Sequence, residues 1–191
     1  MTIRKILTEP NKILREKSLR VENVNKDIQQ LMDDMLETLY AAPGIGLAAI
    51  QVGVAKRVIV MDMSRSRNDI GRDKDDINKN EDKEPKKPIY FVNPEIIWKS
   101  EDKFTYEEGC LSVPNQFAEI DRPKQCHVKY LDYNGHHQEL KADGLLSTCI
   151  QHEIDHLEGI LFIDYLSKLK KEIIIKKLSK QTKESVERIV V

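Results

Sequence analysis

The sequence predicts an α+β fold built on an antiparallel sheet. Extended segments cluster in the middle of the chain, and helical periodicities occupy both ends. An Asn134-Gly135 pair lies between two strand-like runs and is the strongest short hairpin signal present. A length of 191 residues suits one domain, spanning 1–191.

Each element has its own signal. Between Asn25 and Ala42, Ile28, Leu31, Met32, Met35, Leu36 and Leu39 recur at three- and four-residue steps and form one apolar stripe. Asn25 is a suitable N-cap, and Pro43-Gly44 ends the helix. Arg57 to Met63 reads as a strand. The 25 residues from Ser64 to Pro88 hold eight Lys/Arg, seven Asp/Glu and no aromatic residue. Such a stretch buries too little to order itself, so 64–88 is expected to be a charged, mobile insertion loop. Strand character returns from Ile89 to Trp98 and again from Cys126 to Tyr133. Asn134-Gly135 predicts a two-residue turn, with Gln138 to Ala142 as the returning strand. A helix follows, capped by Asp143 and closed by Gly159. The segment 165–191 is expected to carry a last helix, from about Leu166 to Val186.

Composition removes several function classes. Thirty-one Lys and Arg against 32 Asp and Glu leave a formal net charge of −1, which argues against a strongly basic nucleic-acid binder. No apolar run approaches the roughly 18–20 residues that span a bilayer, so no membrane association is expected. The opening residues Met1-Thr2-Ile3-Arg4-Lys5 lack the apolar core of a signal peptide, and a cytoplasmic location is expected. Cys110, Cys126 and Cys149 read as free thiols or ligands rather than a disulfide framework.

The chemistry centres on His152-Glu153-Ile154-Asp155-His156, an H-E-x-x-H motif. Four residues are just over one helical turn, so both imidazoles point to one side and can grip one metal ion. The glutamate between them can serve as general base. Leu145, Leu146 and Ile150 make this helix a buried one, and buried histidines need partners. The third ligand stays open on spacing alone. The position that one zinc-protease pattern fills with histidine is Phe162, which cannot ligate. Glu172 lies in range on the next helix, among lysines that suggest a solvated face. Cys110 would give a thiolate with two imidazoles, a set suited to zinc or ferrous iron rather than calcium or magnesium. Spacing alone does not choose between Cys110 and Cys149, which lies one turn before His152 and reads equally as a wall residue of the site or a small buried hydrophobe. Cys126 reads as core, and His127, His136 and His137 as exposed residues of the hairpin. Asp155 and Glu108 are charges in segments expected to be buried, and Arg122 is a candidate partner for both.

Three segments then converge. Gly44-Ile45-Gly46-Leu47-Ala48-Ala49-Ile50-Gln51, Glu108-Gly109-Cys110-Leu111-Ser112 and Gln151-His152-Glu153-Ile154-Asp155-His156 resemble, in order and separation, the three signature motifs of the peptide deformylases. The resemblance covers nearly the whole chain and is closest to the bacterial type with an extended C-terminal helix. It implies a hydrolase that removes the N-formyl group from the starting methionine of new polypeptides and releases formate. It also implies antiparallel sheets packed around a central metal-binding helix, with an N-terminal and a C-terminal helix.

The same resemblance implies one divalent metal ion, ferrous iron in the cell and often zinc, nickel or cobalt in purified protein. Its ligands would be Cys110, His152 and His156. Glu153 would be the acid/base, while Gln51 and the Leu111 backbone N–H would steady the oxyanion. The methionine slot would be lined by Ile45, Gly46, Tyr106, Glu108, Gly109, Leu145, Thr148, Cys149 and His152. The peptide would run along Gly46 and Gly109–Leu111 like an added strand. A monomer is expected; the segment 165–191, with eight Lys/Arg and three Asp/Glu, reads either as the wet face of its helix or as a ribosome contact like that of some relatives. Two departures stand out: the 64–88 insertion, and Phe117 where many bacterial members place a basic residue near the substrate entrance. A metalloprotease and a catalytically silent ribosome-associated module are the alternatives.

Overall fold

The computed structural model describes residues 2–64 and 85–187. Helix α1 spans Lys26–Ala41, and the Asn25 side chain accepts a hydrogen bond from the Ile28 N–H at 3.1 Å, as its cap position requires. The helix stops where Ala42 turns extended, the conformation that a following proline imposes. Strand β1 is Gly46–Ala48, β2 Val58–Asp62, β3 Pro88–Lys99, β4 Lys103–Cys110, β5 Val113–Pro123, β6 Gln125–Leu131 and β7 His137–Asp143. Helix α2 is Gly144–Leu157 and α3 Lys168–Glu187. Five strands form an antiparallel sheet in the order β1-β2-β3-β6-β7, and β4 and β5 pair as a separate hairpin.

The run Val58-Ile59-Val60-Met61 is apolar throughout because β2 is covered on both faces. Val58 and Val60 point to α1, packing with Leu31, Met32, Met35 and Leu39. Ile59 and Met61 point the other way, packing with Phe91, Cys126, Val128 and the α2 residues Cys149, Ile150 and Leu157. The helix that carries the histidines thus lies against the sheet. A third cluster, of Val113, Ile120, Phe162, Ile163 and Leu178, ties β5 to α3.

Several expectations are corrected. The loop of the β6–β7 hairpin is longer than two residues. The Asp132 carboxylate accepts from the N–H groups of Asn134 and His136, Gly135 N–H bonds the Asp132 carbonyl, and only Gly135 of the pair takes a positive φ. Asp143 sits at the cap position of α2 but makes no side-chain bond to the helix; its carboxylate accepts from Gln125 instead. His127 is half-buried, with its ring 4.6 Å from that of Trp98. Gly159 closes α2 with φ +75°. Strands β1, β4 and β5 went unassigned from sequence. Most of the 64–88 insertion lies outside the described residues; the buried Asp62 carboxylate holds its two flanks, accepting from the N–H groups of Ser64 and Lys87.

The N-terminal segment is pinned to α1 at Asp34, which is buried and accepts from Thr2 N–H at 2.8 Å, from Gln30 and from Arg4. The Thr2 N–H holds its carboxyl below the usual aspartate range; burial opposes this, and Gln30 and Arg4 reinforce it. A carboxyl with a depressed folded pKa stabilises fully above its unfolded pKa and loses that contribution as pH falls through the folded value. Asp34→Asn is therefore expected to cost about 1–3 kcal/mol at pH 7. The cost should fade only in strong acid, below the ordinary aspartate range; urea unfolding of both proteins across that range checks it.

Candidate active site

Helix α2 presents His152 and His156 one turn apart, with their rings 5.0 Å apart and edge-on. Strand β4 brings Cys110 to them, with Sγ 3.2 Å from His156 Nε2. The ligating atoms of Cys110, His152 and His156 all lie within 4.8 Å of one another. Geometry thereby separates the candidates that spacing left open. Glu172 is an exposed residue of α3, and Cys149 is buried among apolar neighbours, where burial raises its thiol well above the ordinary range. Neither belongs to the cluster. Phe162 stacks on the His152 ring at 6.3 Å and walls it.

A polar scaffold orients the histidine pair. His152 Nδ1 donates to Glu108 Oε2 at 2.7 Å, which leaves Nε2 for the cluster. Glu108 is gripped by both arms of the Arg122 guanidinium, with Nη2 to Oε2 at 3.1 Å. Arg122 Nη1 also donates to Asp155 Oδ2 at 2.7 Å, so one arginine serves both acids, the buried Glu108 and the half-buried Asp155, as proposed from sequence. Burial alone would raise the Glu108 carboxyl; the bonds from His152 and Arg122 outweigh it and keep Glu108 ionised. Burial depresses His156 well below the ordinary histidine range, so it is a neutral imidazole, the form that ligates.

Glu153 is different. Its Oε2 is buried with no hydrogen-bond partner among the described residues. Burial pushes its pKa up to about 7; the neighbouring His152 opposes the rise and Glu108 adds to it. The carboxylate lies against the backbone of Gly46, where a Cβ would collide with Oε1. A side chain at Gly46 would force the Glu153 carboxylate to shift from its place beside the cluster.

Gln51, at the end of the glycine- and alanine-rich segment, is fixed at both ends of its amide. Oε1 accepts from Ala48 N–H at 2.8 Å, and Nε2 donates to Ser112 Oγ at 3.1 Å and lies 3.7 Å from Cys110 Sγ. Ser112 N–H also donates to Cys110 Sγ at 3.4 Å. Ser112 was given no role from sequence, although its place two residues after the cysteine was the available signal. Leu111 packs its side chain against Gly44.

The remaining candidates fall on neighbouring surfaces. Leu145, Thr148 and Cys149 lie seven, four and three residues before His152, on the same stripe of α2. Tyr106 shares the parity of Glu108 on β4, ahead of the irregularity between Gly109 and Cys110, and stacks on Phe104 at 5.8 Å. Ile45 packs beside the core cluster that contains Cys149. Gly109 lies under the Phe117 ring, which is 63% exposed.

Comparison with known proteins is consistent with this geometry. The model of the polypeptide deformylase family matches residues 3–172. Peptide deformylase of Pelagibacter ubique (strain HTCC1062) is 64% identical over 180 residues, covering 94% of this chain and 95% of the relative. The peptide deformylase of Phenylobacterium zucineum (strain HLK1) is 54% identical over 183 residues, covering 96% and 99%. The crystal structure of peptide deformylase from Ehrlichia chaffeensis in complex with actinonin superposes with a TM-score of 0.81 at 44% identity, over 95% of this chain and 98% of that one. Sequence motifs, antiparallel architecture and the Cys–His–His cluster all lead to one assignment: the chain belongs to the polypeptide deformylases, metal-dependent enzymes that remove the N-formyl group from nascent peptides.

Proposed function

We propose that Cys110, His152 and His156 hold one divalent cation, ferrous iron in the cell, and that Glu153 moves the proton as formylmethionyl peptides are deformylated. The observation that carries this is the thiol and two imidazoles gathered within 4.8 Å, beside a buried carboxylate with an unpaired oxygen. The donor set fits such an ion. Sulfur with imidazole suits iron, zinc, nickel or cobalt, and three protein ligands leave a position for substrate. When bound, the cation supplies a nucleophile at neutral pH by acidifying water, and it draws charge from the formyl oxygen.

The chain's own groups do the rest. Glu153 accepts a proton as the water oxygen bonds to the formyl carbon. It returns the proton to the amide nitrogen as the C–N bond breaks, releasing formate and the free methionine amine. The Gln51 amide has two N–H groups, given to Ser112 Oγ and Cys110 Sγ; the second turns from the sulfur to the developing oxyanion, which the Leu111 backbone N–H also meets. Such donors are worth about 2.7–4 kcal/mol each in other hydrolases. Ile45, Gly46, Tyr106, Glu108, Gly109, Leu145, Thr148 and Cys149 frame the methionine, while the peptide backbone pairs along Gly46 and Gly109–Leu111.

Formate release from formyl-Met-Ala-Ser, measured beside cleavage of a blocked internal peptide, tests this. Formate from the first and no cut in the second is expected; the reverse makes the protein a protease. Cys110→Ser is expected to weaken cation binding more than roughly 100-fold, because a neutral hydroxyl replaces a thiolate and loss of a ligand exceeds loss of a ligand's supporting partner. Metal content at the wild-type level after dialysis would instead point to Cys149.

No helix among the described residues is long and apolar enough to cross a membrane. The enzyme is proposed to work as a cytoplasmic monomer that docks on ribosomal RNA through α3. Lys168, Lys170, Lys176, Lys177 and Lys180 are exposed on that helix. Ribosome binding should fall steeply as salt rises, the signature of phosphate contacts.

A further inference from the structure

We propose that Tyr165 is a positioning residue for His152, acting from the root of α3 through Asp155, Arg122 and Glu108. The proposal rests on the reading above that His152 is a ligand. Tyr165 ends the 3₁₀ turn Phe162–Tyr165, three residues before α3 begins, and it is 51% exposed. A half-exposed aromatic there needs no polar partner, yet this one has two. Its hydroxyl donates to Asp155 Oδ2 at 2.8 Å, and its ring lies 4.9 Å from the Arg122 guanidinium carbon. The same Asp155 oxygen accepts from Arg122 Nη1.

Tyr165 therefore touches both members of one ion pair. It occupies a lone pair of the acid and covers the face of the base. The remaining links are desolvated: Arg122 and Glu108 side chains are each 3% exposed. A guanidinium is a rigid fork, so a turn made to follow Asp155 also turns the arms on Glu108. Glu108 in turn fixes the His152 ring through Nδ1. Asp155 is the solvent-facing link, with its side chain 17% exposed. Without the Tyr165 hydroxyl, water competes for its oxygen, and the fork loses its outer anchor. Glu172 and the lysines of α3 offer no substitute among the contacts of Asp155 in the described residues.

The test loads the full chain with cobalt and compares wild type, Tyr165→Phe, which keeps the ring, and Tyr165→Leu, which removes both contacts. Three readouts are taken: the rate of cobalt loss to excess chelator, the visible absorption bands of the cobalt protein, and kcat and KM for formyl-Met-Ala-Ser. Tyr165→Phe is expected to lose cobalt roughly three- to tenfold faster, with shifted bands, lower kcat and unchanged KM. Tyr165→Leu should exceed it in each. A generic loss of stability would not move the cobalt bands of folded protein. Wild-type loss rate and bands in Tyr165→Phe would overturn the proposal; that conservative variant decides the matter even if the leucine variant fails to fold. Absence of a thiolate–cobalt band from the wild type would overturn the metal-site reading, and this proposal with it.

Discussion

Glu153→Ala is expected to lower formate release by about 10²–10⁴-fold while the protein keeps its cation. The carboxylate is not among the three clustered donors, so its removal leaves the thiol and both imidazoles where they are. It is also a costly group to bury: Oε2 has no partner among the described residues, and burial lifts its pKa to about 7. Removing it relieves that desolvation, which offsets part of the packing lost. The variant should therefore fold normally, and the loss should fall on kcat. Glu153→Gln, which keeps the shape, should be similarly slow, because an amide cannot take and return the proton. Metal analysis, thermal melting and the formate assay on the same preparation check this; unchanged turnover would remove Glu153 from the mechanism.

Arg122→Met carries the second large effect. One guanidinium is the shared counter-ion of Glu108 and Asp155, and all three lie mostly out of solvent. Taking the arginine away leaves two acids without a counter-ion, a change that costs about 3–5 kcal/mol when one partner of a buried pair is removed. The loss should be visible in urea unfolding of metal-free protein, because Arg122, Glu108 and Asp155 are not among the three clustered donors. His152 should lose its orientation as well, weakening cation affinity about 10- to 100-fold. Arg122→Lys keeps the charge but not the fork, and should fall between the two. Wild-type stability of the metal-free methionine variant would show that Glu108 and Asp155 find other partners.

What could be read from the sequence divides along physical lines. Helix α1 was legible because its stripe is apolar and its cap is Asn25. Strand β2 was legible because it is buried on both faces and so is apolar at every position up to Asp62. The β4–β5 hairpin was not, for a reason that belongs to the site. Its inward positions include Glu108 and Arg122, charges that strand patterning assigns to water. They are buried because they satisfy each other, His152 and Asp155, and none of these partners is near them in sequence. The same holds for Ser112 and Tyr165, whose roles come from contacts across the fold. His152, Glu153 and His156 were legible because one helical turn is a local rule. Cys110 could not be selected over Cys149 until β4 delivered its sulfur.

Gly46 restricts how this gene can change. Every single-base change in a glycine codon that yields another amino acid introduces a side chain. At this position even the first carbon of such a side chain meets the Glu153 carboxylate. An inhibitor that draws its affinity from the bare main chain of that strand would thus press on a spot where escape mutants damage the enzyme itself. Selection for resistance should find its survivors at other codons.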